Sequence, residues 1–205
     1  MDNQIFQITG TLLLAYFMGS LPFGLITGKL FYGKDIRDYG SKNIGATNVF
    51  RVFGKLPGIA VFLLDALKGY FSVVLIPQLF GVSTNIVLIL GGLIAIAGHN
   101  WPVFLKFKGG KGVATSLGVA LALAPKELGV AFIVFILLVS LTRFVSAGSI
   151  CASVVFFAAM FFFNEPLPLV VFGALTCFMI IIRHIQNINR LFKGTENRLW
   201  QKKLQ

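Results

Sequence analysis

Long apolar runs, separated by short polar segments, recur along almost the whole of the 205-residue chain. A membrane-spanning helix needs about 20 mostly apolar residues, with shorter helices tolerated where interfacial structure flanks them. The fourth and fifth runs are shorter than a bilayer ideally requires. The pattern predicts an all-α integral membrane protein with seven transmembrane helices. The predicted helices lie roughly at residues 5 to 31, 56 to 80, 85 to 105, 112 to 124, 128 to 142, 146 to 163 and 167 to 183.

The composition agrees with residence in a membrane. Hydrophobic residues make up 57% of the chain and charged residues 12%, and the mean hydropathy is +0.86, whereas soluble domains are about a quarter charged. The net charge of +11 suits nucleic acid, anionic lipid headgroups or phosphorylated substrates, and the membrane setting argues against nucleic acid. Because no internal repeat or low-complexity tract is visible, we interpret residues 1–205 as a single membrane domain.

Basic residues concentrate in alternate connections between the apolar runs. Lys and Arg are enriched in cytoplasmic loops, and the opposite side carries only Lys126. The segregation predicts an N-terminus outside and a C-terminus in the cytoplasm. The basic connections contain Lys34, Arg37, Lys42, Arg51 and Lys55, then Lys106, Lys108 and Lys111, then Arg143, and finally the tail from Arg183 to Lys203.

A glycine-rich basic segment precedes the fourth apolar run. Glycines allow close approach of the backbone to a ligand, and a helix that begins at Gly112 adds the positive end of its dipole, so the segment could hold phosphate. It is not a Walker A loop, because Gly112 stands where that motif requires Ser or Thr. A flexible basic turn that follows the charge bias would have the same composition, so both interpretations stay open. The candidate residues are Lys108, Gly109, Gly110, Lys111 and Gly112.

The long first connection is dense in small hydrogen-bonding side chains and ends near an arginine. If the chain is helical from Thr47 onward, Thr47 and Arg51 share one face and Asn48 lies beside them. Arginine suits bidentate contact with phosphate, whereas Ser41 and Asn43 could orient the hydroxyls of a polyol. An Asn-rich turn that caps a short helix would explain the same residues.

Further polar groups are predicted at the same membrane level. A single histidine in such a place is more often a hydrogen-bonded interfacial residue than a base. Four clusters from four connections nevertheless project onto one side, where a helix bundle could gather them around one cavity. The additional residues are His99, then Arg143, Ser146 and Ser149, and then Arg183, His184 and Asn187.

For three charged residues, our first hypothesis is a structural role. Asp65 and Lys68 lie one helical turn apart within the second apolar run, and intramembrane charges are costly unless they are paired. We predict a mutual ion pair, with a role in a substrate cavity as the alternative. Glu196 is predicted to pair with a neighbouring arginine and to stabilise the tail.

Two long motifs carry a resemblance to a known family. They are Gly-Ser-x-Asn-x-Gly-Ala-Thr-Asn from Gly40, and Gly-His-x-x-Pro-Val-Phe-x-x-Phe-Lys-Gly-Gly-Lys-Gly-Val-Ala-Thr from Gly98. With these motifs, the chain resembles the small integral-membrane glycerol-3-phosphate acyltransferases known as the PlsY family. The resemblance extends from Gly19 to Leu191 and so covers most of the chain.

The resemblance implies a seven-helix fold and transfer of an acyl chain from acyl phosphate to the sn-1 hydroxyl of glycerol 3-phosphate. The products would be lysophosphatidic acid and phosphate, in the first acylation step of bacterial phospholipid synthesis. It also implies catalytic roles for Ser41, Arg51, Lys111 and His184. The implied substrate-binding residues are Asn43, Thr47, Asn48, His99, Lys108, Gly109, Gly110, Gly112, Ser146, Ser149 and Asn187.

The expected partners are acyl phosphate, glycerol 3-phosphate, membrane lipids and the enzyme that supplies acyl phosphate, without nucleic acid. The expected location is the bacterial plasma membrane, with the active site facing the cytoplasm. No cofactor or metal is expected, because the motifs contain no carboxylate cluster. His184, His99 or an oxygen of a substrate phosphate could remove the hydroxyl proton.

Two other functional classes are compatible with a basic membrane cavity. A transporter of organic phosphates would need polar residues on both sides of the bilayer, and the outer connections are sparse. A metal-dependent lipid phosphotransferase would need clustered Asp residues, whereas Asp65 is isolated within the apolar runs.

Overall fold

The structure is a computed structural model that describes residues 2–199. In that part of the chain every regular element is helical, which confirms the predicted all-α class. Two 3-10 turns, Ile36–Asp38 and Val103–Leu105, accompany the longer helices. The α-helices are α1 (Asp2–Ser20), α2 (Phe23–Tyr32), α3 (Ala46–Phe53), α4 (Lys55–Leu79), α5 (Asn85–Asn100), α6 (Val113–Leu123), α7 (Pro125–Thr142), α8 (Val145–Phe162), α9 (Leu167–Arg183) and α10 (Ile185–Phe192).

The helices include several that can cross a bilayer. Within the described residues, 4 stretches are long and apolar enough, comprising α4, α5 with the turn that follows it, α7 and α8, and the number rises to 6 if each of two bent pairs is one span. The bent pairs are α1 with α2, at 42°, and α9 with α10, at 58°. Helix α6 is shorter. Each of the seven predicted runs therefore contains a helix, while the count of seven spans stays a prediction.

The largest departure from the predicted boundaries lies in the first run, which is two helices rather than one. The break falls at Leu21 and Pro22. Proline has no N–H to donate to the preceding turn and disfavours the α conformation of the residue before it. A second proline, Pro102, follows the end of α5, so the run predicted to reach residue 105 ends its α-helix at Asn100.

Helix α4 lies at the centre of the bundle and packs against α6, α1, α5 and α3. Its contact with α6 depends on glycine, because a side chain at Gly118 would overlap the backbone carbonyl of Ala66. Small residues allow this close approach between helices in a membrane. The main core lies among the helices from α4 to α9, and its fully buried members include Ile96, Val119 and Phe172.

A second, smaller core fixes the first connection against the bundle. It joins Leu25 of α2, Ile36 and Ile44 of the connection, Val49 of α3 and Val61 of α4. This cluster lies at the end of the bundle that also carries the glycine segment, the start of α8 and the α9–α10 bend. We call this the polar end. The basic tail was predicted as far as Lys203, and its residues 200–205 lie outside the described part of the chain.

Candidate active site

A cavity at the polar end gathers most of the predicted site residues. Its walls come from the first connection, α3, α4, the end of α5, the start of α6, the start of α8, the α9–α10 bend and the C-terminal segment. Of the residues with implied catalytic or substrate-binding roles, all line it except Lys108, Gly109 and Gly110, and the candidates Arg143 and Arg183 also lie outside its lining. Those that line it are Ser41, Asn43, Thr47, Asn48, Arg51, His99, Lys111, Gly112, Ser146, Ser149, His184 and Asn187.

Asn48 holds the first connection in shape. Its side chain is 1% exposed, and its Oδ1 accepts a hydrogen bond of 2.8 Å from the Ser41 N–H. Its Nδ2 donates to the carbonyls of Asn43, at 2.8 Å, and Tyr39, at 3.0 Å. Since a buried amide must satisfy both of its ends, Asn48 positions Ser41 and Asn43 at the edge of the cavity.

Arg51 extends from α3 into the cavity, on the same face as Thr47. Its Nη2 donates to the Asn197 carbonyl at 3.1 Å, and its buried Nε has no hydrogen-bond partner among the described residues. Burial lowers the pKa of the guanidinium from its usual value, and the neighbouring Glu196 carboxylate partly offsets that effect. Arg51 therefore keeps unused donors for an anion.

Two glycines of the basic segment pack against protein rather than the cavity. The Gly110 N–H donates to the His99 carbonyl at 3.0 Å, and a side chain at Gly110 would overlap His99 Nε2. Arg183 donates from Nε to the Gly110 carbonyl, at 2.9 Å, and from Nη2 to the Gly109 carbonyl, at 2.8 Å. The Gly110 N–H is therefore already bonded within the protein, and the role of Gly109 and Gly110 in holding phosphate stays a prediction.

Gly112 is the glycine that borders the cavity. Its φ of +80° lies in the left-handed region that favours glycine, and α6 begins directly after it. Val113 and Ala114 of the first turn of α6 also line the cavity, so the positive end of this helix faces it, as predicted. Lys108 is exposed and lies outside the cavity.

A hydrogen-bonded chain connects the glycine segment to the C-terminal segment. Lys111 Nζ donates to Asn187 Oδ1 at 2.6 Å, and Asn187 Nδ2 donates to Glu196 Oε1 at 2.6 Å. The same carboxylate accepts from Ser146 Oγ at 2.8 Å and from Arg190 Nε at 2.7 Å. The predicted pairing of Glu196 with an arginine is confirmed, and these donors lower the pKa of Glu196 against the effect of its burial.

Lys111 has an unusually low affinity for its proton. Burial lowers the pKa of its ammonium from 10.5 to about 8, and the positive charges of Arg190, Arg51 and Arg183 act in the same direction, whereas Glu196 opposes them. This shift is typical of a cationic site that awaits an anion.

The two histidines both line the cavity. His184 Nδ1 is 2.8 Å from the Ile180 carbonyl oxygen. His99 Nδ1 is 3.0 Å from Lys68 Nζ, and Lys68 Nζ is 2.6 Å from Asp65 Oδ1. The predicted ion pair of Asp65 with Lys68 is confirmed, and Asp65 also borders the cavity.

An apolar groove continues from the polar cavity between α4, α6, α7, α8 and α9. The two spaces share Phe62, Val113, Phe135 and Ser149. Ser149 donates its hydroxyl to the Val145 carbonyl of its own helix, at 2.8 Å, so it presents little polarity there. The rest of the groove is lined mainly by apolar residues: Leu117, Ala120, Leu128, Ala131, Phe132, Ala152, Phe156 and Ile180, with Ser116, Ser153 and Thr176.

Several parts of this site were not predicted from the sequence. The groove is the largest of them. It was missed because its lining residues have the same apolar composition as the surfaces that face lipid. Arg190 and Asn197, which also line the cavity, had no spacing signal. Arg143 was grouped with Ser146 and Ser149, but it ends α7 and its carbonyl accepts the Leu199 N–H at 2.9 Å.

A helical membrane bundle whose cationic cavity opens into an apolar groove defines a membrane protein that handles an amphipathic anion. The chain matches the model of the glycerol-3-phosphate acyltransferase family over residues 9–194. It therefore belongs to the glycerol-3-phosphate acyltransferase family.

Relatives and solved structures agree with this membership. Glycerol-3-phosphate acyltransferase 2 of Bacillus anthracis is 46% identical over 92% of this chain and 97% of its own length. The glycerol-3-phosphate acyltransferase of Desulforamulus reducens is 44% identical over 92% and 94%.

Two crystal structures of PlsY, an integral membrane glycerol 3-phosphate acyltransferase, share the fold. The glycerol 3-phosphate form has a TM-score of 0.87 and 41% identity, and the lysophosphatidic acid form a TM-score of 0.84 and 39% identity; each match covers 93% of this chain and 94% of the other. The resemblance to the PlsY family is confirmed.

Proposed function

We propose that the protein transfers a fatty acyl group from acyl phosphate to the sn-1 hydroxyl of glycerol 3-phosphate. The products are lysophosphatidic acid and inorganic phosphate, and the reaction is the first acylation step of bacterial phospholipid synthesis. The observation that carries the proposal is the junction of the cationic cavity with the apolar groove at Phe62, Val113, Phe135 and Ser149. An acyl phosphate placed across this junction has its phosphate among charges and its chain among apolar side chains.

We assign the phosphate of glycerol 3-phosphate to Arg51 and Lys111. Arg51 has a buried Nε without a partner among the described residues, and Lys111 is bonded only to the neutral amide of Asn187 in the hydrogen bonds of this region. Ser41 and Asn43, which Asn48 holds at the cavity edge, orient the glycerol hydroxyls. Two anionic substrates repel each other, and this shared cationic wall offsets the repulsion.

The phosphate of acyl phosphate belongs at the start of α6. Gly112 and the first N–H groups of the helix offer donors and a positive dipole end, and Lys111 lies between the two phosphate positions. The sn-1 oxygen forms a bond to the carbonyl carbon, the bond from that carbon to the phosphate oxygen breaks, and phosphate leaves with the electron pair. Donors that stabilise the departing charge supply much of the rate acceleration.

We assign the removal of the hydroxyl proton to His184. A carbonyl oxygen only accepts hydrogen bonds, so the contact with Ile180 places the imidazole proton on Nδ1. Nε2 then carries the lone pair that a general base needs. Asn187, one turn further along, shares this side of the cavity.

The membrane arrangement follows from the helices and the charges. We count the four long helices, the two bent pairs and the short α6 as seven spans, and helix length and apolar composition support up to six of them. We assign the basic connections, and with them the active site, to the cytoplasmic side of the bacterial plasma membrane, and the charge bias supports this orientation. Residues 1–205 form a single domain, and the enzyme that supplies acyl phosphate delivers its product from the same side.

The test is phosphate release by the purified protein in detergent, given palmitoyl phosphate with and without glycerol 3-phosphate. We expect release that requires glycerol 3-phosphate and yields lysophosphatidic acid. Arg51→Ala and Lys111→Ala should abolish it, whereas Lys108→Ala, which changes an exposed lysine outside the cavity, should not. Folded protein that releases no phosphate but carries glycerol 3-phosphate into liposomes would replace the acyltransferase with an organic-phosphate transporter.

A further inference from the structure

Lys68 lies at a three-way contact inside the bundle. Its ammonium is 2.6 Å from Asp65 Oδ1, 2.7 Å from the Leu21 carbonyl oxygen and 3.0 Å from His99 Nδ1. The Lys68 side chain is 1% exposed and that of Asp65 is 3% exposed. An ammonium group has three N–H donors and no acceptor. Here it is paired with the Asp65 carboxylate and hydrogen-bonded to Leu21 and His99.

The contact with Lys68 determines which nitrogen of His99 carries the proton. Because the ammonium can only donate, the 3.0 Å contact makes His99 Nδ1 an acceptor. Asp65 Oδ1, which also faces this nitrogen, is 3.6 Å away, beyond hydrogen-bond distance. The proton of the neutral ring is then on Nε2. Nε2 lies against Gly110, at the place where a side chain on that residue would be, and His99 borders the polar cavity. Nε2 has no hydrogen-bond partner among the described residues, and His99 lines the cavity, so this N–H is left for a group that enters the cavity.

We propose that Asp65 and Lys68 are positioning residues that hold His99 as the Nε2–H form, so that this N–H donates a hydrogen bond to an anionic oxygen of the substrate. The Leu21 carbonyl lies at the α1–α2 break, outside the helical ladder. It accepts from Lys68 in addition to the Phe23 N–H, which is 3.2 Å away. The identity of the oxygen, on a phosphate or on the reacting carbonyl, rests on the proposed function. The position of the proton on the His99 ring does not depend on the proposed function.

The two histidines consequently carry their ring protons on opposite nitrogens. His184 Nδ1 faces a carbonyl and carries the proton, whereas His99 Nδ1 faces an ammonium and carries none. A ring fixed in the form of His99 donates a hydrogen bond from Nε2. The general base that removes the hydroxyl proton is then His184 or an oxygen of the substrate. This division explains why Gly110 must be glycine, since a side chain there would cover the donating nitrogen.

The protonation pattern can be measured without substrate. The chain contains 2 histidines, so protein labelled with ¹⁵N only in histidine gives a spectrum of two rings, which the His184→Gln variant assigns. At neutral pH we expect His99 to show a protonated Nε2 and a bare Nδ1, and His184 the reverse. A protonated Nδ1 in His99 would mean that this nitrogen donates, to Asp65 Oδ1 or to an uncharged Lys68, and would overturn the proposal.

The role of the ion pair is tested by removing both charges together. Loss of one partner would leave a buried unpaired charge and destabilise the fold, so the variant is Asp65→Asn with Lys68→Met. We expect the fold to persist, the His99 ring to become a mixture of both forms, and the His184 ring to stay unchanged. An unchanged His99 ring in the folded double variant would contradict the positioning role.

A kinetic comparison addresses the donor itself. The amide nitrogen of glutamine can stand in for histidine Nε2 as a donor, whereas leucine cannot. We expect His99→Leu to lose roughly 10²-fold in turnover, the usual effect of removing one donor to a developing charge, and His99→Gln to recover a large part of that loss. Equal losses in both variants would contradict the donor role even if the spectra agree, and inactive wild-type protein with the expected spectra would instead refute the proposed function.

Discussion

The polar cavity and the apolar groove meet at four shared residues, yet they are constructed in different ways. In the cavity, each basic side chain is fixed by a specific protein partner, such as Asn187 for Lys111 and Glu196 for Arg190. In the groove, the contacts are apolar and non-directional. The difference indicates that the cavity fixes the reacting groups, while the groove tolerates variation in the chain. Substitutions should therefore abolish activity in the first and change selectivity in the second.

The largest effect is expected at Arg51. Arg51→Ala removes a buried guanidinium with unused donors, and we expect a loss of roughly 10²–10³-fold in kcat/KM for glycerol 3-phosphate. Arg51→Lys keeps the charge without the planar fork and should recover only part of that loss. Initial rates at varied glycerol 3-phosphate measure this, with Lys108→Ala as the control. Equal activity of Arg51→Ala and Lys108→Ala would place the phosphate elsewhere.

The next effect is expected at Gly110, which packs directly against the His99 ring. A methyl group at Gly110 would overlap His99 Nε2, so Gly110→Ala must displace the ring or the glycine segment. A displacement of about 1 Å in a positioned group can cost roughly 10²-fold in rate, and we expect a loss of that order in kcat. Gly129→Ala on α7 is the matched control, because no atom lies within 4 Å of the added methyl group. Normal kcat in Gly110→Ala would show that His99 does not act.

A smaller effect on activity is expected when a rise in pH removes the charge of Lys111. Because burial and nearby arginines lower the pKa of Lys111 to about 8, its ammonium loses the proton as pH rises through that value. The value of kcat/KM, which reflects the free enzyme, should therefore be level below pH 8 and fall above it. In Lys111→Arg the guanidinium stays charged, so whatever activity remains should not fall in that range. An alkaline limb that is identical in both proteins would assign it to another group.

The sequence predicted which connections converge because charge and hydropathy carry that information. Positive charge marks one end of the bundle, so Arg51, Lys111 and His184 could be placed together without any coordinates. The ion pair of Asp65 with Lys68 was equally predictable, since two opposite charges one turn apart in a membrane have few other partners.

The contacts of the glycine segment could not be predicted in the same way. Gly109 and Gly110 bond to Arg183, which is more than 70 residues away in the chain, and no local pattern distinguishes that contact from contact with a ligand. The groove was missed for a related reason. Ser149, Ala152, Ser153 and Phe156 form a stripe along α8, but a stripe that packs on protein has the same spacing.

The smallest effect on total activity, and the clearest on selectivity, is expected in the groove. Along α8 the groove extends from Ser149, at the junction with the cavity, to Phe156, a distance of about 10 Å at the rise of an α-helix. Ala152 lies between them, so Ala152→Phe should block the groove midway and lower the rate with palmitoyl phosphate by roughly tenfold relative to a short-chain acyl phosphate.

The KM for glycerol 3-phosphate should stay unchanged in this variant, because none of the residues assigned to that substrate contacts the middle of the groove. Ala158→Phe adds the same volume to an exposed position of the same helix and should leave the chain preference as it is. A change in the KM for glycerol 3-phosphate without a change in chain preference would mean that Ala152 supports the cavity rather than the acyl chain. The separation of cavity and groove would then be wrong, since the two would respond as one packed unit.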